Sequence, residues 1–213
     1  MKKHYLLLLF CFSINSLFSQ TIEDVFTTSK LPMDFVGLDF SNVKLIGSEG
    51  FSDPAKIQSY YFNTWNGLMI SEEEKYNIKK AFMKSDVDYH LGVVEALNAE
   101  VDYIDLVTNE TPANFSDKEL QAFVKRYNTD GLEHKLGISF IVHSLNKFQE
   151  RAYVYVVIFN TKSKKVLFSK RMSGEARGFG FRNYWMGAIY DIIKDISNTQ
   201  FRKWKKEFQK KKK

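Results

Sequence analysis

LGISFIVHSL (residues 136–145), AYVYVVIF (152–159) and VLFSKRM (166–172) are the three stretches on which the fold turns. The first two are so dense in β-branched and aromatic residues that they read as strands buried on both faces. The third follows the lysine-rich polar loop 160–165, and a short polar loop between two β-prone runs predicts a hairpin. Beyond it, GEARGFGFRNYW (174–185) leads into Trp185, Ile189, Ile192, Ile193 and Ile196. That helical spacing predicts a long amphipathic C-terminal helix from near Arg182.

Working back toward the N-terminus, FVGLDFSNVKLI (35–46) alternates like a first strand, with a bulge expected near Ser41 and Asn42. Asp53 before Pro54 is a helix start, and Ile57, Tyr61, Trp65 and Leu68 form its apolar face. Ser71 with Glu74 predicts a second helix to about Lys84, and Asp86 to Val94 alternates as a second strand. Residues 95–109 are open between strand, short helix and loop. Ser116 and Glu119 form a capping box, with Phe115 placed to staple onto Leu120 and Gly131 to end the helix. The expected fold is α+β: a mixed sheet of about four to five strands, helices mainly on one face, then a β-hairpin and a long C-terminal helix.

Of 213 residues, 44% are hydrophobic and 26% charged, which excludes a disordered, collagenous or multi-span membrane chain. Lys2 and Lys3, the apolar run from Tyr5 to Phe12 and the small polar residues after it have the layout of a secretory signal, with cleavage expected after Ser19. An uncleaved anchor is the alternative. Residues 20–200 are expected to form a single domain, followed by a basic tail, 201–213. The one cysteine, Cys11, lies in the leader, so the remaining chain has no disulfide or thiolate chemistry. A periplasmic or otherwise exported protein, soluble or peripheral to the outer membrane, follows as the expectation.

The formal charge of +6 comes from 31 basic and 25 acidic residues. Residues 202–213 concentrate eight basic side chains against Glu207 alone, so the basicity is a terminal feature and no footprint for nucleic acid. Phe201, Trp204 and Phe208 share a helical face with Lys205 and Lys206 close by, which suits either an anionic membrane or a partner contact; docking of the last helix is the plainer reading.

The order of elements is similar to small α/β domains of envelope proteins, among them the N-terminal domain of the Tol-Pal protein TolB and the periplasmic domain of the curli secretion protein CsgG. The phrases VGLDFSNVKLIG, YYFNTWN and GFGFRNYW resemble those of uncharacterised exported proteins of Gram-negative bacteria. That resemblance implies an envelope address and a single domain, and no catalytic residue comes with it.

Three groups of residues could carry chemistry. Arg177, Gly178, Gly180, Arg182 and Asn183 surround a helix start and could receive an anionic ligand, although the glycines also serve a tight turn plugged by aromatics. Asp86, Asp88 and His90 alternate on an expected strand, where with His134 or His143 they could bind a divalent metal and support hydrolysis, or simply form a solvated face. No G-x-S-x-G elbow or comparable catalytic motif is present. The reading is therefore a non-enzymatic protein-interaction or assembly domain of the envelope, with no cofactor and an envelope protein as partner. An anion-binding module is the first alternative and a metal-dependent hydrolase the second.

Overall fold

The computed structural model describes residues 22–210. In chain order the elements are α1 (Ile22–Thr27), β1 (Met33–Asp39), β2 (Lys44–Ile46), α2 (Pro54–Lys56), α3 (Phe62–Ser71), α4 (Ile78–Ala81), β3 (Val87–Tyr89) and α5 (Gly92–Ala99). They continue with β4 (Val107–Thr108), α6 (Asp117–Lys125), β5 (Leu136–Asn146), β6 (Arg151–Asn160), β7 (Val166–Glu175), α7 (Gly180–Asp195) and α8 (Phe201–Lys210). The expected leader, with Cys11 and its cleavage point, and Lys211 to Lys213 lie outside the described residues. Among the described residues no helix is long and apolar enough to cross a membrane.

The long strand β5 organises the sheet. One edge carries β1 and β2 end to end, both parallel to it, and beyond them lie β3 beside β1 and β4 beside β2, again parallel. The other edge pairs antiparallel with β6, and β6 with β7. The expected sheet of four to five strands is thus corrected to seven strands among the described residues, with four parallel pairings. The expected terminal hairpin is the last part of a three-strand antiparallel meander. Alternation along a strand signals burial and says little about which neighbour it pairs with, so the parallel half was not legible.

The predicted bulge near Ser41 is a full interruption that divides the first strand into β1 and β2. Buried asparagines close the gap by imitating a neighbouring strand. Asn66 of α3 accepts from the Leu38 amide at 2.7 Å and donates to its carbonyl at 3.0 Å. Asn98 of α5 donates to that same carbonyl at 3.0 Å and accepts from the Phe40 amide at 2.7 Å. Buried backbone groups that lose a ladder partner need such replacements. Gly37 makes this approach feasible: at φ +110° it lies in the left-handed region, and a side chain there would meet Asn66 Oδ1 at 2.6 Å.

Helices cover both faces, unequally. The larger core holds α1, α3, α4, α7 and α8 against Phe35, Leu38, Ile138, Phe140, Val154 and Val156. It is built from rings: Phe40 stacks on Phe62 at 4.4 Å, and Phe51 on Trp185 at 5.3 Å. The smaller core joins α5 and α6 to Val36, Ile141, Val157 and Phe159. The helices therefore lie mainly on one face, as expected, with α5 and α6 covering the other.

Two local expectations are corrected. No helix starts at Ser71: α3 ends there, Glu72 to Glu74 form a turn, and Asn77 caps α4 by accepting from the Lys80 amide. The buried Tyr76 makes that turn, which a pattern of charges conceals. The strand expected over Asp86 to Val94 lasts only three residues, and α5 begins at Gly92 because Val94 and Leu97 share a buried helical face. The capping box is present as read, with Ser116 and Glu119 bonding each other's backbone amides; the helix ends at Lys125, capped by Arg126, before Gly131.

Candidate functional site

The sheet carries unusual side chains at both ends of β5, about 35 Å apart by strand length. At its beginning lies a cluster of carboxylates and imidazoles. Asp34 stands in β1 between β3 and β5, facing the smaller core, and is 0% exposed. Its Oδ2 accepts from the His134 amide at 3.1 Å, while Oδ1 accepts no hydrogen bond. His90 Nε2 faces Oδ1 at 3.2 Å without bonding to it, and is itself unpartnered. His134 Nε2 lies 2.9 Å from Asp88 Oδ2. One ligand atom each from Asp34, Asp88 and His134 falls within 4.8 Å of the others. Burial raises the Asp34 carboxyl above the usual carboxylate range, against the lowering effect of the His134 amide and the two imidazoles.

The elements fix these groups to different degrees. Asp34 is held by strand pairing on both sides, and the His134 backbone by its amide bond to Asp34 and by Thr161, whose hydroxyl donates to the His134 carbonyl at 2.6 Å. Asp88 is half exposed and is held on one side only, by His134. His90 opens onto a cleft of about 490 Å³ between α5 and residues 126–132.

Of the sequence candidates, the structure brings together Asp88, His90 and His134. Asp86 precedes β3 and is exposed. His143 lies elsewhere: its Nε2 bonds the Ala113 carbonyl at 2.9 Å, its ring packs on Phe115, and burial lowers its pKa. Asp34 was missed by sequence reasoning. The available signal was a pair of acids, Asp34 and Asp39, inside the otherwise apolar run MDFVGLDF (33–40).

The smaller core holds a second buried acid, Asp39. Tyr127 donates to its Oδ2 at 2.7 Å and lies 2.8 Å from Ser139 Oγ, and the Ser41 amide bonds Oδ1. Burial, then the Asp39 charge, pushes the Tyr127 hydroxyl well up. In the larger core the ammonium of Lys84 donates to the carbonyls of Val25 and Thr28; burial, then Lys205, lowers it to about 8.

At the far end of β5 the glycine and arginine loop starts α7. Arg177 bonds Asp191 at 2.8 Å, while Arg182 and Asn183 are exposed and bond each other at 3.0 Å. Gly178 and Gly180 adopt positive φ, which turns Phe179 outward, 96% exposed. Phe181 packs on Tyr61 at 4.8 Å, and a shallow groove of about 250 Å³ lies on each side of it. Phe148, 68% exposed, follows the Lys147 that lines one groove; Tyr60, 54% exposed, packs on the Tyr61 that lines the other.

The aromatic residues of the basic terminus are turned inward. Phe201 and Trp204 are buried against Phe26 and Phe168, and Phe208 packs on Phe26, so 201–210 form a docked helix. Lys206 is exposed and Lys205 half-buried.

No family model matches the chain, and no curated protein matches it in sequence. Among solved structures, the chain is similar to the C-terminal domain of LpoB from Salmonella enterica over 70% of its own length and 84% of that domain, with 6% identity and a TM-score of 0.31. A likeness of that degree carries no functional argument.

Proposed function

We propose that the protein is an exported, non-enzymatic domain of the cell envelope that docks a protein partner on the aromatic end around Phe181. The observation that carries this reading is Phe179, a phenylalanine held almost wholly in water by two glycines. Exposed aromatic residues beside side-chain-sized grooves are the usual anchors of protein interfaces. Phe148 and Tyr60 extend the same surface. Each groove is lined mainly by Phe181 and neighbouring apolar or aromatic groups, so the partner segment is apolar at two positions. The leader-like start of the sequence supports the envelope address.

The test is a photo-crosslinking amino acid placed at Phe179, at Phe148 and, as a control, at the exposed Lys118 of α6, in cells making the protein at native level. One dominant adduct from 179 and 148, absent at 118, with its partner an envelope protein, is the expected result. Equal labelling at all three positions, or none at 179, would sink the docking reading. Sequencing the N-terminus of the recovered protein tests export separately, and a start at Gln20 is expected.

A further inference from the structure

We infer that Asp34, Asp88, His90 and His134 form a binding site for one divalent transition-metal cation, with zinc the ion that the donors suit best. The inference does not depend on the aromatic end, which lies at the opposite end of β5.

Four groups from three segments converge here. Two carboxylates and two imidazoles supply four N/O donors, a set that favours zinc over calcium or magnesium, which take all-oxygen shells. In a tetrahedral site with bonds of about 2.0–2.1 Å, donor atoms stand about 3.4 Å apart. The present separations bracket that value: 2.9 Å for His134 to Asp88, 3.2 Å for His90 to Asp34, and no more than 4.8 Å across Asp34, Asp88 and His134. A turn of the half-exposed Asp88 side chain is the main adjustment required.

The independent sign of a ligand is Asp34 Oδ1. A fully buried carboxylate is costly unless its lone pairs are met, and this one has a single hydrogen bond, to the other oxygen. The unmet oxygen points at the unmet nitrogen of His90. A proton shared between them would neutralise that pair alone, leaving the convergence of Asp88 and His134 on the same point unexplained. A cation held by Asp34, Asp88 and His134, with His90 beside Asp34, accounts for both the unmet oxygen and that convergence. The cleft beside His90 provides the way in.

The experiment is calorimetric titration of the whole chain, carrying no polyhistidine tag and freed of metal with EDTA, using zinc chloride and, in parallel, manganese and calcium chloride. One zinc per chain is expected. His134→Ala should weaken binding by more than about 100-fold and Asp88→Asn by at least about 10-fold, whereas Asp86→Asn should change it less than about 2-fold. Asp34→Asn tests the buried oxygen directly; should that variant fail to fold, His134→Ala and Asp88→Asn, at partly exposed positions, still decide the matter. Absence of zinc binding, zinc binding indifferent to both variants, or tighter binding of calcium than of zinc would each overturn the inference.

Discussion

The two faces of the sheet are built on different principles. The larger rests on rings packed on rings, Phe40 on Phe62 and Phe51 on Trp185, and Lys84 is the buried charge there among the described residues. The smaller has fewer apolar residues and yet holds Asp34, Asp39, Ser139 and His143 out of water. Apolar burial costs nothing in lost hydration, whereas each buried carboxylate needs partners to offset it. The larger face therefore secures the fold, and the smaller concentrates the groups whose protonation or ligation can change.

This contrast can be broken by substitution. Phe62→Ala, beneath the closest ring stack, should cost about 4 kcal/mol, read as the shift in a urea midpoint. A loss below about 1 kcal/mol would mean that the larger face tolerates cavities and does not secure the fold. On the other face, Tyr127→Phe removes no volume from the core but strips Asp39 Oδ2 of its donor, and about 2 kcal/mol is expected by the same measurement. An unchanged midpoint would show that the fold does not depend on the Tyr127 bond to Asp39.

Lys84 sharpens the comparison by pH. Its folded value is lowered to about 8, while the unfolded chain keeps the proton up to the ordinary 10.5. Between these values the unfolded state binds more protons, so stability relative to Lys84→Met should rise with pH across that window and fall again as pH drops toward 8. The expected gain is about 1.5 kcal/mol, since the carbonyls of Val25 and Thr28 favour the charged form and oppose the effect of burial. Thermal melts at pH 7.5 and 10 check the sign. The smallest effect belongs to the surface: Ser116→Ala should lower stability by about 1 kcal/mol through loss of the cap alone, leaving the fluorescence of the folded state unchanged.

What could be read in advance follows the same division. The capping box at Ser116, the meander strands and the Trp185 to Ile196 helix face were legible, since each is a local pattern with a local cause. Interactions across the chain were not. Asp34 resembles any polar residue near a strand start until β3 and β5 close on either side of it. Asp86 and Asp88 look equivalent in sequence, and only the short span of β3 separates the exposed one from the one that meets His134. Glu72 to Glu74 look like a helix start because a buried Tyr76 just beyond cannot be distinguished from an exposed one by spacing. Docking of the last helix, the plainer reading of its aromatic face, is what the packing of Trp204 on Phe168 shows.

The shared carbonyl of Leu38 has a mechanical consequence. Asn66 comes from a helix of the larger core and Asn98 from a helix of the smaller, and both grip that one oxygen. Neither layer can peel away without releasing the rivet that also holds the other, so the domain should melt in a single step. Cutting either amide would let the layers part company.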